Sequence, residues 1–221
     1  MKKAKFLPYI IYIGILMSIG GCATDGNGLR NGDLIFESVG KSAAAKAIDA
    51  ATARESGESF SHVAIIEVAE DGIYVIEAAS ESGVQRITLD DFLAAATHDE
   101  SGNPAITVMR LDGKYDAEAF IANAKRHIGE PYDHYFMPDN GRMYCSELVY
   151  ESYRDENGNP IFTARPMNFR AADGTMPEYW VALFEALGEP IPQGVPGTNP
   201  NDMAREQCLV RLPDAVWKGL R

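Results

Sequence analysis

Two β-branched runs separated by a single turn restrict the fold more than any other feature of this chain. Residues 62–68 read HVAIIEV and residues 73–79 read IYVIEAA, with Ala69, Glu70, Asp71 and Gly72 between them. Asp-Gly favours a tight hairpin turn, so the runs are expected to pair antiparallel. If the turn centres on Glu70 and Asp71, residue i opposes residue 141 − i. His62 then faces Ala79, and Glu77 lies one diagonal step away on the same face. A register slip of two keeps the pair together, and a slip of one separates them. Such diagonal neighbours lie ~7 Å apart, within reach of long side chains.

The remaining pattern extends this hairpin into an α+β fold with an antiparallel sheet packed against helices. GDLIFES places a strand near residues 33–37, and GVQRIT and AITVMRL supply two more. An Ala-rich helix is expected over residues 41–53. Thr88 with Asp91 makes a capping-box pattern for a helix over 89–96. Asp116 caps a helix over 117–128, whose apolar stripe is Phe120, Ile121, Ala124 and Ile128. A further helix is expected over 145–154, and MPEYWVALFEALG is helical with Pro177 at the first turn. EPIPQGVPGTNPNDM carries Pro and Gly at a density that excludes regular structure. QCLVRLP reads as a last strand. There is no internal repeat.

The 221 residues are 46% hydrophobic, enough for one sizeable core. The formal charge of −12, with no basic run beyond the first five residues, argues against a nucleic-acid partner. Lys2, Lys3 and Lys5 precede an apolar stretch from Phe6 to Met17, then small residues and Cys22. That order reads as a secretory signal, and the stretch is too short for an ordinary membrane span. Ile-Gly-Gly-Cys resembles the lipobox of bacterial lipoproteins, which implies cleavage before Cys22 and its lipidation. The expected division is a signal peptide over 1–21, a lipidated tether over 22–31, a main domain over 32–162 and a loop-rich extension over 163–221 packed on it. The expected location is the cell envelope, on its periplasmic side or at the outer membrane, held by the lipid at Cys22. Nothing in the sequence brings Cys145 and Cys208 together as a disulfide. With no Cys-x-x-Cys and no His-rich cluster, no metal or other cofactor is expected.

Cys145 opens the helix of MYCSELVY. Its companions on that face, Leu148, Val149 and Ser152, would suit a buried cysteine of purely structural use. At a helix N-terminus, however, unpaired N–H groups and the helix dipole favour a thiolate, and the same N–H groups can hold an oxyanion. A thiol nucleophile needs a base. His98 lies in a polar loop, His127 sits near a helix C-terminus, and His134 is in the loop before Cys145. His62 opens an apolar run, where a polar ring costs stability unless it finds partners. Glu77 on the same face can orient that ring, or can instead point outward from an exposed sheet face.

GDLIF, FSHVAII, YVIEA, GEPYD and YCSELVY, in this order, resemble the YiiX/YebB-like proteins. These are circularly permuted relatives of the NlpC/P60 cysteine peptidases with a papain-like fold. The resemblance covers roughly residues 32–155. It implies Cys145 as nucleophile, His62 as general base and Glu77 as the orienting residue, with Tyr144, Tyr132 and Ser61 lining the substrate pocket. The function it implies is an envelope amidase or peptidase acting on a small peptide or a murein-derived peptide. A lipid-directed acyl hydrolase or acyltransferase using the same thiol, and a non-catalytic binding module, are the alternatives.

Overall fold

The computed structural model describes residues 28–53 and 57–218. The expected signal peptide, Cys22 and most of the expected tether lie outside the described residues.

One antiparallel sheet organises the chain. Its strands are β1 (Leu34–Ser38), β2 (Phe60–Ala69), β3 (Gly72–Ala79), β4 (Gly83–Thr88), β5 (Ile106–Leu111) and β8 (Leu209–Arg211), in the spatial order β4-β3-β2-β1-β5-β8. The helices α1 (Ala43–Thr52), α2 (Leu89–Ala95), α3 (Ala117–Arg126) and α4 (Cys145–Ser152) connect or follow the strands. The C-terminal segment adds α5 (Glu178–Leu187), α6 (Pro200–Met203), α7 (Ala215–Lys218) and a two-residue ladder of β6 (Arg165–Pro166) with β7 (Pro196–Gly197).

The hairpin has the register its turn dictates. Ile65 opposes Ile76, Ile66 opposes Val75 and Ala69 opposes Gly72. Residues 63–66 lack polar alternation because the sheet is covered on both faces. Val63, Ile65, Ile76 and Ala78 pack with Phe120, Leu148, Val149 and Tyr153 of the α3–α4 layer. Ala64, Ile66 and Val75 pack with Leu89, Phe92 and Leu93 of α2, and with Trp217.

Helix ends follow the capping chemistry. Ser42 accepts the Ala45 N–H, so α1 begins at Ala43 rather than at residue 41. Helix α3 stops at Arg126, two residues before its expected end. Ile128 therefore leaves the apolar stripe and is exposed. The Pro-rich stretch after α5 also departs from expectation, because it holds β7 and α6. Asn199 accepts the Asp202 N–H and Pro200 occupies the first turn, so a Pro-rich segment still closes one helical turn. Residues 163–221 also enter the main sheet, through β8 paired with β5.

One glycine holds the loop that leads to the site. Gly83 has φ +72°, and a Cβ there would stand 2.2 Å from the Glu130 carbonyl oxygen. The same carbonyl accepts the Val84 N–H at 2.8 Å, which docks residues 129–131 on β4.

Candidate active site

Cys145 is the first residue of α4, and its neighbour Tyr144 is the extended N-cap. The loop before it is tied down by Asp133, a fully buried carboxylate that accepts the N–H groups of Tyr135 at 2.9 Å and Met137 at 2.8 Å. Met143 donates its N–H to the Pro131 carbonyl and accepts that of Asp133, so Tyr132 and Met143 run side by side. The chain therefore doubles back, and Tyr132 is delivered to the start of α4. Helix α4 itself packs on β2 and β3, near the end of the hairpin that lies away from its turn.

At that end His62 Nε2 lies 2.7 Å from Glu77 Oε2. An ionised carboxylate only accepts, so Nε2 carries the proton and Nδ1 is left for another partner. Glu77 Oε1 accepts from Gln85 Nε2 at 2.8 Å, and the two residues are cross-strand partners in β3 and β4. Both oxygens of this buried carboxylate are thus held. Phe92 of α2 stacks on the imidazole at a centroid separation of 6.2 Å.

The Cys145 side chain stands close enough to His62 to act on its titration. Burial pushes the His62 pKa down, but the neighbouring Cys145 side chain, the hydrogen bond to Glu77 and the charges of both outweigh it, and the pKa rises well above 6.5. For Glu77, burial alone would raise the pKa. The hydrogen bond to His62 and its charge, with Gln85, bring it below 4.5. The pair therefore favours imidazolium and carboxylate together.

Two depressions meet at this constellation. A small slot of about 50 Å³ has Cys145, itself 4% exposed, in its lining. A larger cleft of about 310 Å³ is lined by His62 and Ser61. Tyr132 and Ile48 border both. Ser61 donates a long hydrogen bond to the Ser38 carbonyl, 3.4 Å. Tyr144 lines the slot and accepts the Thr198 N–H at 3.1 Å, while Thr198 Oγ1 meets Ser146 Oγ at 3.0 Å. The C-terminal segment is clasped over the first turn of α4 by these two contacts.

The other histidines stand elsewhere or do other work. His98 is exposed, His127 caps α3 and pairs with Glu130 at 3.1 Å, and His134 packs its ring on Tyr132. Cys145 and Cys208 are both free. Gln85 was not among the residues singled out from the sequence, although the β3–β4 register would have pointed to it. Phe136, Met167, Phe169 and Trp180 in the slot carry no local signal at all.

Glu147 is buried at the third position of α4 and accepts the Tyr144 N–H at 3.4 Å. Burial, then the nearby Asp133 charge, push its carboxyl up to about 8 from 4.5. The folded protein holds this proton where the unfolded chain has released it, so stability falls as pH rises from 4.5 towards 8. Glu147→Gln is expected to remove that slope and to stabilise the protein by up to about 5 kcal/mol above pH 8. Urea unfolding at pH 5, 7 and 9 measures it, and unchanged slopes in the variant would refute it.

Comparison with known proteins matches residues 28–212 to the family described as permuted papain-like amidase enzymes, YaeF/YiiX, C92. The uncharacterised protein YiiX of Escherichia coli K12 is 30% identical over 166 residues, spanning 74% of this chain and 75% of YiiX. A crystal structure titled as metalloprotein YiiX from Escherichia coli O157:H7 superposes with a TM-score of 0.66 at 26% identity, covering 83% of this chain and 96% of that one.

Proposed function

Since the chain belongs to the permuted papain-like amidase family of YaeF and YiiX, we propose that it is a cysteine amidase whose nucleophile is Cys145. The observation that carries this reading is the His62 imidazole, hydrogen-bonded to the Glu77 carboxylate and close enough to Cys145, the first residue of a helix, to feel its thiol. His62 takes the thiol proton, and Cys145 Sγ forms a bond to the carbonyl carbon. The oxyanion is held by the Cys145 N–H, one of the first-turn donors that no intrahelical carbonyl satisfies. Collapse breaks the carbon–nitrogen bond, and His62 gives its proton to the departing amine. Water, deprotonated by His62, then attacks the thioester, and the proton returns to sulfur as the acid leaves. Glu77 holds the ring and its charge throughout.

The amide belongs to a small peptide or a murein-derived peptide in this reading. The basic start, the short apolar stretch and Gly20-Gly21-Cys22 support an envelope position through a lipid at Cys22. The relative's title speaks of a metalloprotein, but among the described residues no group of three His, Cys, Asp or Glu side chains is placed to hold a metal ion. No step here is routed through one.

Alkylation tests the activated pair. Iodoacetamide at pH 7 is expected to modify Cys145 about tenfold faster in the wild type than in His62→Ala, because the imidazolium favours the thiolate. Cys208 is also free and half-buried, so the modified peptides are separated by mass spectrometry. Equal rates at Cys145 would sink the proposal.

A further inference from the structure

The Glu77 carboxylate has a support of its own. It stands on β3, and a line of hydrogen bonds runs through it across three adjacent strands, from His62 on β2 to Gln85 on β4. Its two oxygens are divided between these partners. Oε2 accepts from His62 Nε2 at 2.7 Å, and Oε1 accepts from Gln85 Nε2 at 2.8 Å. An ionised carboxylate only accepts, so the amide presents its NH₂ group rather than its oxygen. Rotation of a carboxylate about its last torsion is broad, so one bond to His62 would leave the Glu77 plane loosely set. The second bond fixes that plane, and it satisfies an acceptor on a buried side chain.

Gln85 is itself held from both sides. It is the cross-strand partner of Glu77, so β3 fixes its backbone on one edge. On the other edge Val84 donates its N–H to the Glu130 carbonyl at 2.8 Å, and its carbonyl accepts the Gly129 N–H at 2.9 Å. The next residue, Arg86, bonds Glu67 at 2.7 Å and lies 3.3 Å over the Tyr74 ring. An amide on so fixed a strand has little freedom to leave its carboxylate. The charged group that faces Glu77 is His62, and Cys145 acts on His62 in turn. His62 and Gln85 together keep Glu77 ionised against burial. We propose, resting on the thiol-hydrolase reading above, that Gln85 is a positioning residue of the reaction, which acts through Glu77 and keeps His62 with Nε2 on the carboxylate and Nδ1 free for the thiol. Without this donor the carboxylate turns away from the ring, and the imidazolium loses part of its counter-charge.

The test follows iodoacetamide alkylation of the Cys145 peptide by mass spectrometry, in the full chain, at pH 5 and pH 9. An ordinary thiol is almost wholly protonated at about pH 5 and largely ionised at about pH 9, so the rate at the lower pH reports the help of the imidazolium. Gln85→Met is close in shape and lacks the donor. It is expected to lower the pH 5 rate about fivefold and to leave the pH 9 rate within about twofold of the wild type. Gln85→Asn keeps an amide but falls a methylene short, and is expected to do the same, so it carries the test if the Met variant fails to fold. Gln85→Glu restores a donor while the two facing carboxyl groups hold a proton between them, and at pH 5 it is expected to react within about twofold of the wild type. A merely structural role would neither single out the low-pH rate nor be repaired by a carboxylic acid. Wild-type rates at pH 5 in Gln85→Met or Gln85→Asn, or no recovery in Gln85→Glu, with alkylation still dependent on His62, would overturn the role of Gln85 and leave the amidase standing. Equal pH 5 rates for the wild type and His62→Ala would overturn both.

Discussion

Cys145→Ala is expected to lower kcat/KM for hydrolysis of an N-acyl amide by ~10⁴-fold or more, with the fold intact. The loss is large because every covalent step of the proposed reaction runs through this sulfur, and neither the helix N-terminus nor His62 can replace it. The fold survives because the deletion removes one atom at the edge of a slot rather than from the centre of the core. Leu148, Val149 and Tyr153 still bind α4 to the sheet. The melting free energy is expected to change by no more than about 1 kcal/mol. Steady-state kinetics and thermal unfolding on the same preparation check both halves. Turnover within tenfold of the wild type would remove Cys145 from the mechanism, whatever the stability shows.

Glu77→Gln is expected to cost ~10²–10⁴ in kcat/KM and to move the alkaline limb of the pH profile to lower pH. The substitution keeps the shape, and the amide oxygen can still accept from His62 Nε2. What it removes is the negative charge, which together with Cys145 holds the His62 pKa well above 6.5 against burial. The active pair needs imidazolium, so rates fall as pH rises through the His62 pKa. A lower pKa brings that fall earlier. Gln85 donates to Glu77 Oε1 in the wild type and would then face an amide, which can disorder the hydrogen-bond chain as well. A pH profile of kcat/KM for both proteins separates the charge effect from a mere change in KM. An unmoved alkaline limb would relegate Glu77 to packing. Stability follows the same pair. The His62 contribution is complete below 6.5 and is lost as pH rises through its raised value, while that of Glu77 is lost as pH falls through its lowered one.

Much of this site was legible along the chain because its rules are local. Asp71-Gly72 and the β-branched runs beside it set a hairpin register, and that register alone put His62 and Glu77 on one face. Ser42, Thr88 and Asp116 mark helix starts by one hydrogen bond each, and those starts were readable. Cys145 at the head of α4 follows from the apolar pattern after it. Gln85 needed only one more register, that of β4 against β3. Helix ends were less legible. Ile128 looks like part of the α3 stripe by period, yet the helix closes at Arg126 and leaves it exposed.

The slot beside Cys145 was decided by tertiary structure alone. Ile48, Phe136, Met167, Phe169 and Trp180 are spread over more than half the chain, and no period or motif relates them. Their meeting is accompanied by the β6–β7 ladder and by the Thr198 contacts with Tyr144 and Ser146, which hold the C-terminal segment beside α4. Period, turn chemistry and capping act over a few residues, so the sequence by itself determined the hairpin, the helix that presents Cys145 and the placing of His62 and Glu77 on one face, while the tertiary structure decided that they pair. A cavity wall is made of residues whose only common property is that they are close once the chain has closed on itself, and that closure belongs to the folded whole.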